Sequence, residues 1–168
     1  MGLRLAFMVG GGIALLAGLD AALLQLGVAA PVTSERISSV HGVLMVLGFI
    51  GTVITLERAV ALGKGWGFIA PAAMGLGGIA LISPLPLAAA GALFLIGTGV
   101  QAAIFGPLWR RRRDAAVLVQ ALGAASAFGA AMLFTSGAAG TSYLAWFIGY
   151  VVLLIAGERM ELARLGRS

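Results

Sequence analysis

The sequence predicts an all-α fold: a polytopic membrane helix bundle of six transmembrane helices, with both termini cytoplasmic. Three observations carry this. Hydrophobic residues make up 61% of the chain and charged residues 10%, where a soluble domain carries ~25% charged residues. Six apolar runs come close to the ~20 residues that cross ~30 Å of hydrocarbon. Basic residues then crowd into alternate loops. Arg4, Arg58, Lys64, Arg110, Arg111, Arg112, Arg113, Arg159, Arg164 and Arg167 fall on one side and only Arg36 on the other. For an even number of spans, the excess of positive charge on cytoplasmic loops places that side, and both termini, inside. The whole chain, 1–168, reads as one transmembrane domain of a cell inner membrane.

The first run, 5–28, resembles the apolar core of a signal peptide. It is longer than the usual 7–15-residue core and carries Asp20, so a retained helix is expected. The second run, 37–56, contains His41, the single histidine of the chain. The third, 66–82, is short for a span and ends at the turn Ser83-Pro84-Leu85-Pro86. The fourth and fifth, 85–108 and 115–134, flank the four consecutive arginines. The sixth, 143–157, begins at Tyr143. Trp66 and Trp109 fall at the inner boundary, and Tyr143 and Trp146 at the outer one, as aromatic belts require. Backbone groups in lipid must be satisfied within their own segment, so each run is expected to be helical. No run alternates with period two, which argues against a barrel.

The absence of cysteine excludes disulfides and thiolate metal sites. Twenty-six glycines supply small residues at four-residue spacing. Gly10, Ala14 and Gly18 form one such stripe and Ala121, Ala125 and Gly129 another, both suited to close helix packing. Homo-oligomer contacts would use the same kind of face. Phe49-Ile50-Gly51 before Glu57-Arg58 is echoed by Phe147-Ile148-Gly149 before Glu158-Arg159, a short internal similarity.

Ionisable groups inside a span are costly and mark candidate sites. On a wheel of 100° per residue, Ser38, His41, Met45, Gly48, Thr52 and Thr55 share one stripe of the second span. That stripe is expected to face the bundle interior, with Gly48 leaving an indentation two turns below His41. Asp20 lies at similar depth, so an Asp20–His41 pair is expected to serve as a structural bond, a proton relay, or the support of a metal-bound imidazole. Glu57 and Arg58, with Glu158 and Arg159, are expected to form crossed ion pairs, Glu57 with Arg159 and Glu158 with Arg58. Gln101 and Gln120 are placed for an interhelical amide bond. Arg110, Arg111, Arg112 and Arg113 mark topology and suit anionic lipid head groups. They lack the interleaved aromatics of a nucleic-acid surface.

The run His41-Gly42-Val43-Leu44-Met45-Val46-Leu47-Gly48-Phe49 resembles the second helix of haem–copper oxidase catalytic subunits and of the NnrS family. The resemblance implies a b-type haem ligated by His41, with Met45 and Phe49 lining the macrocycle. Met132, in the fifth span, lies at a depth where it would offer the opposite ligand; otherwise the site is five-coordinate, or a second subunit supplies that ligand. Oxidase catalytic subunits use several histidines and this chain has one, so dioxygen reduction of that kind is excluded. The expected function is therefore an integral membrane protein binding one haem near the outer face, for redox or small-gas chemistry. The alternatives are a proton-coupled small-solute permease using Asp20 and His41, or an accessory subunit of a larger membrane complex. The ten-to-one ratio of arginine to lysine fits a GC-rich bacterial source.

Overall fold

The computed structural model describes residues 2–32 and 34–166, with the side chains of Leu3, Arg4 and Leu165 left out. Thr33 and Arg167, and the charge expected at Arg4, thus lie outside the described residues. Seven helices follow one another and no strand occurs among the described residues. These are α1 (Gly2–Gln25), the short α2 (Glu35–Ser39), α3 (His41–Leu62), α4 (Ile69–Ile82), α5 (Leu87–Arg112), α6 (Ala115–Thr135) and α7 (Leu144–Leu165). Short 3-10 turns at Gly65–Phe68 and Gly140–Tyr143 lead into α4 and α7. All but α2 lie in segments long and apolar enough to cross a membrane.

The spans match the sequence reading in number and order and differ at their ends. The second begins at His41 rather than Ile37, because the chain breaks at Val40 and Glu35–Ser39 forms a separate turn. It then runs on to Leu62, where Gly63 adopts a left-handed conformation (φ 68°) and ends the helix. The fourth and sixth continue past the apolar run to Arg112 and Leu165. Their charged last turns stay helical because their side chains find partners across the bundle. Asp114 caps α6, its Oδ1 accepting from the Ala116 N–H at 3.0 Å.

Helices α1, α3 and α4 meet at a point where none carries more than a methyl group. A Cβ placed on Gly48 would lie 3.3 Å from the Gly78 Cα and 3.3 Å from the Ala14 Cβ. One on Gly10 would lie 3.5 Å from the Gly75 Cα. The Gly10–Ala14–Gly18 stripe is therefore the α1 side of this seam, as small residues at that spacing allow. The second expected stripe is displaced. Ala125 is exposed, and α6 instead buries Gln120, Gly123, Ala124, Ala127, Ala130 and Ala131. Glycines of α7 and α6 admit side chains from the facing helix. Gln120 lies over Gly157 and Trp146 over Gly129.

Within α3, Leu44–Ile50 is a π-helix, seven residues long, between α-helical ends. Its wider i→i+5 turn carries the chain past the 100° wheel. The six-residue stripe expected on the second span is therefore not one face. Gly48, Thr52 and Thr55 are buried, Met45 is half-buried, and Ser38 belongs to α2. The two threonine hydroxyls are satisfied locally, donating to the Gly48 and Gly51 carbonyls at 2.6 Å each.

The Gly157 contact yields a first prediction. A Cβ there would come within 2.4 Å of the Gln120 Cγ and 2.9 Å of the Ala116 carbonyl oxygen. Overpacking of this kind costs about 1–3 kcal/mol. Gly157→Ala is expected to lower the thermal midpoint of the purified protein in detergent. Gly12→Ala, where nothing lies within 4 Å, is expected to leave it unchanged or slightly raised.

Candidate functional sites at the two ends of the bundle

The spans alternate in direction, so the loops gather at two ends. At one end the start of α1 meets the α3–α4 connection, where the Phe7 and Phe68 rings stack at 5.9 Å. The same end holds Arg58, Arg112, Glu161 and Arg164. The opposite end holds Asp20, α2 and His41.

At the Asp20 end, the α1–α2 loop folds back over α1. The Asp20 Oδ1 accepts from the Val32 N–H at 3.1 Å, and Oδ2 is buried with no partner. Beneath the loop lies a cleft of about 600 Å³. Its walls are apolar, from Ile13, Leu16, Ala17, Leu19 and Leu23 of α1, Pro31 and Val32 of the loop, Ile37 of α2 and Ile82 of α4. Among the described residues, Asp20 is the only ionisable side chain that lines it. Leu16 and Leu19 are exposed, so the cleft opens sideways toward the bilayer.

Arg36 supports this end in a way the loop count did not reveal. Its Nε donates to the Leu81 carbonyl at 2.9 Å, and Nη2 donates to the Ala80 and Leu85 carbonyls. These carbonyls end α4 and leave it. A cation there satisfies orphan acceptors and opposes the helix dipole. The one arginine on this side of the bundle is thus a helix cap that ties α2 to α4. Its signal in sequence was its isolation among apolar loops.

His41 is half-buried and does not line this cleft. Its Nδ1 is buried without a partner. The expected Asp20–His41 bond is not made: Oδ1 of Asp20 accepts from the loop, and Asp20 Oδ2 and His41 Nδ1 are each buried without a partner. The helix seam itself runs through Gly11, Ala14 and Gly18, and Asp20 lies on the neighbouring face of α1.

A haem on His41 requires a flat, empty slot beside Met45, Gly48 and Phe49. That space is filled. The backbone of α4 and the methyl of Ala14 close over Gly48, and the Met45 sulfur occupies the notch left by Gly18, 2.2 Å from where a Cβ would stand. Phe49 reaches Gly11 of α1. Met132 is 54% exposed on the outer face of α6 and does not oppose His41. The residues present do not fit the group in the arrangement that the resemblance implied.

At the other end, Arg58 is enclosed, its side chain 9% exposed. Nη1 donates to the Gln120 Oε1 at 2.9 Å, and Nη2 donates to the Glu57 Oε1 at 2.8 Å. Glu158 and Glu161 of α7 each approach the guanidinium to 3.7 Å. Arg112 pairs with Glu161, and Arg164 with Asp114. Of the two crossed pairs, Arg58 and Glu158 come together. Arg159 is exposed, and Glu57 is held by Arg58 of its own helix, so the Glu57–Arg159 pair does not form. The expected Gln101–Gln120 bond is also replaced. Gln101 accepts from the buried Tyr150 hydroxyl at 3.2 Å, and Gln120 accepts from Arg58. Glu161, which sequence reasoning passed over, carries two of the five ion pairs among the described residues; its signal was the Glu-x-x-Glu spacing from Glu158.

A family model described as Domain of unknown function (DUF8744) matches residues 4–168. The chain belongs to the DUF8744 family. No curated protein and no solved structure matches it. The residues of the cleft and of the arginine cluster all fall within the region matched by the DUF8744 model.

Two outcomes follow. Arg58→Met would leave Glu57, Glu158 and Glu161 facing one another without their cation. The guanidinium is enclosed but the three acids are 29–59% exposed, so losing its charge-assisted bonds costs about 1–3 kcal/mol. The variant is expected to lose that much in denaturant unfolding, with part of it regained by adding Glu158→Gln. Second, with the space beside Met45 and Gly48 filled, the reduced-minus-oxidised spectrum of protein from haem-replete cells is expected to show no Soret band. A band abolished by His41→Ala would overturn the packing argument.

Proposed function

We propose that this DUF8744 protein binds a long-chain, hydroxyl-bearing amphiphile in the Asp20 cleft, taken up sideways from the bilayer. The observation that carries the reading is the buried, unpartnered Oδ2 of Asp20 in an otherwise apolar cavity. A volume of about 600 Å³ lies within the ~300–1,000 Å³ of small-molecule sites, which combine apolar walls with a few placed polar groups. A buried carboxyl without a partner is costly. A hydroxyl relieves that cost in either protonation state, because it both donates and accepts. The long apolar walls call for a hydrocarbon body, and the sideways opening makes the membrane its source. With the arginine-rich end toward the cytoplasm by the positive-inside rule, the cleft faces the outer leaflet.

The test is photolabelling in detergent with a diazirine-bearing long-chain alcohol, competed by the unlabelled alcohol. Label is expected on α1 around Asp20 and on the Pro31-Val32 loop. Asp20→Leu is expected to weaken competition about tenfold, the loss of one hydrogen bond to a charged group. Labelling spread evenly over the exposed helix faces, unaffected by Asp20→Leu, would remove the reading.

A further inference from the structure

A second cavity lies at the arginine-rich end, among α3, α5, α6 and α7, and its chemistry is opposite to that of the cleft. Arg58, Arg111, Arg112, Gln120 and Glu161 supply its polar lining. We propose that it is a recognition site for a single phosphate group.

Three observations carry the assignment. The cavity measures about 150 Å³, half the ~300 Å³ at which small-molecule pockets begin, so it takes one compact group. Its ionisable lining is three arginines and one glutamate, with Glu57 and Glu158 balancing Arg58 from outside the lining. Its uncommitted groups are all donors. Arg58 Nε and Gln120 Nε2 are buried with no partner. Arg111 is exposed and makes no ion pair among the described residues. Glu57 and Glu158 engage Nη2 of Arg58, and Nε bonds to neither. Two lining residues that each keep an unpartnered donor, beside a free guanidinium, suit an anion with several acceptor oxygens around one centre. A tetrahedral phosphate supplies that, and guanidinium groups are the side chains best matched to it.

The structure also narrows the sequence expectation for the four arginines. Arg111 and Arg112 line the cavity, and Arg110 and Arg113 do not. The site lies at head-group level, where a lipid phosphate arrives along the bilayer and a free phosphate arrives from water. Both present the same chemistry to these residues.

The discriminating variant is Gln120→Glu. It keeps an oxygen to accept from Arg58 but replaces the free donor by a negative charge. A Gln120 that serves only to hold Arg58 would be maintained or improved by the change, whereas a phosphate ligand would be repelled. Purified full-length protein in nonionic detergent is titrated with inorganic phosphate and, separately, with dioleoyl phosphatidic acid. Chloride at matched ionic strength is the reference, and binding is read by calorimetry and by the thermal midpoint. Saturable binding is expected, weakened about tenfold or more by Gln120→Glu and several-fold by Arg111→Gln. Binding of phosphatidic acid alone assigns the site to a lipid head group, and binding of inorganic phosphate as well assigns it to a soluble phosphate. Absence of saturable binding by either probe overturns the proposal, as does equal binding by wild type and both variants. Should Gln120→Glu fail to fold, Arg111→Gln carries the test alone, since Arg111 is exposed and unpaired.

Discussion

The fold depends on the contact of three helix backbones at Ala14, Gly48 and Gly78. Lipid gives no hydrophobic reward for joining apolar helices, so association rests on close packing and interhelical bonds. Here α1, α3 and α4 come together where a single added carbon on Gly48 or Gly78 would stand 3.2–3.3 Å from its neighbours. Everything at the Asp20 end follows from that seam. With Gly11, Ala14 and Gly18 turned to α3, Asp20 is left on the adjoining face, toward α4 and the returning loop. Arg36 then fastens α2 to the end of α4. The cleft is what remains between an α1 fixed along one face and a loop fastened by Asp20 at its own backbone.

The π-helical segment gives the same seam its second consequence. Between Leu44 and Ile50 the helix winds more widely, so the residues before it and after it present different faces from those of a regular α-helix. Met45 can then fill the notch at Gly18 while Gly48 meets Gly78 and Ala14. π segments recur at functional sites, but here the turn resolves a packing problem: a methionine and a glycine on one helix both find α1. The threonines below it return their hydroxyls to the backbone of α3 and leave no polar group free toward the core.

What was legible in the sequence was set by terms that add along the chain. Hydropathy fixed six spans, and charge separated the ends. Glycine spacing identified the α1 seam, because Gly10, Ala14 and Gly18 keep their register in a regular helix. What was not legible depended on the rotation and bending of one helix against another. The stripe containing His41, Met45 and Gly48 assumed a regular wheel, and the π segment removed that assumption. The crossed pairs assumed that Glu57 and Arg159 face each other, whereas α3 presents Arg58 to both Glu158 and Glu161. Met132 is exposed on α6 rather than enclosed in the bundle. Depth is written in sequence position; azimuth is set by the neighbouring helix.

The two candidate sites hold three of the five buried unpartnered side-chain atoms among the described residues, and they differ in sign. At the Asp20 end the unsatisfied cleft atom is an acid oxygen within hydrocarbon walls. At the other end they are guanidinium and amide nitrogens among charges. Arg58 explains why the latter persist. Its two Nη atoms engage four side chains on α3, α6 and α7, which fixes the plane of the guanidinium. Nε is the one guanidinium nitrogen left without a partner. The same rigidity places Gln120, whose Oε1 is committed to Arg58 and whose Cγ is wedged over Gly157. Its Nε2 is thereby left as the second unbonded donor of the same cavity.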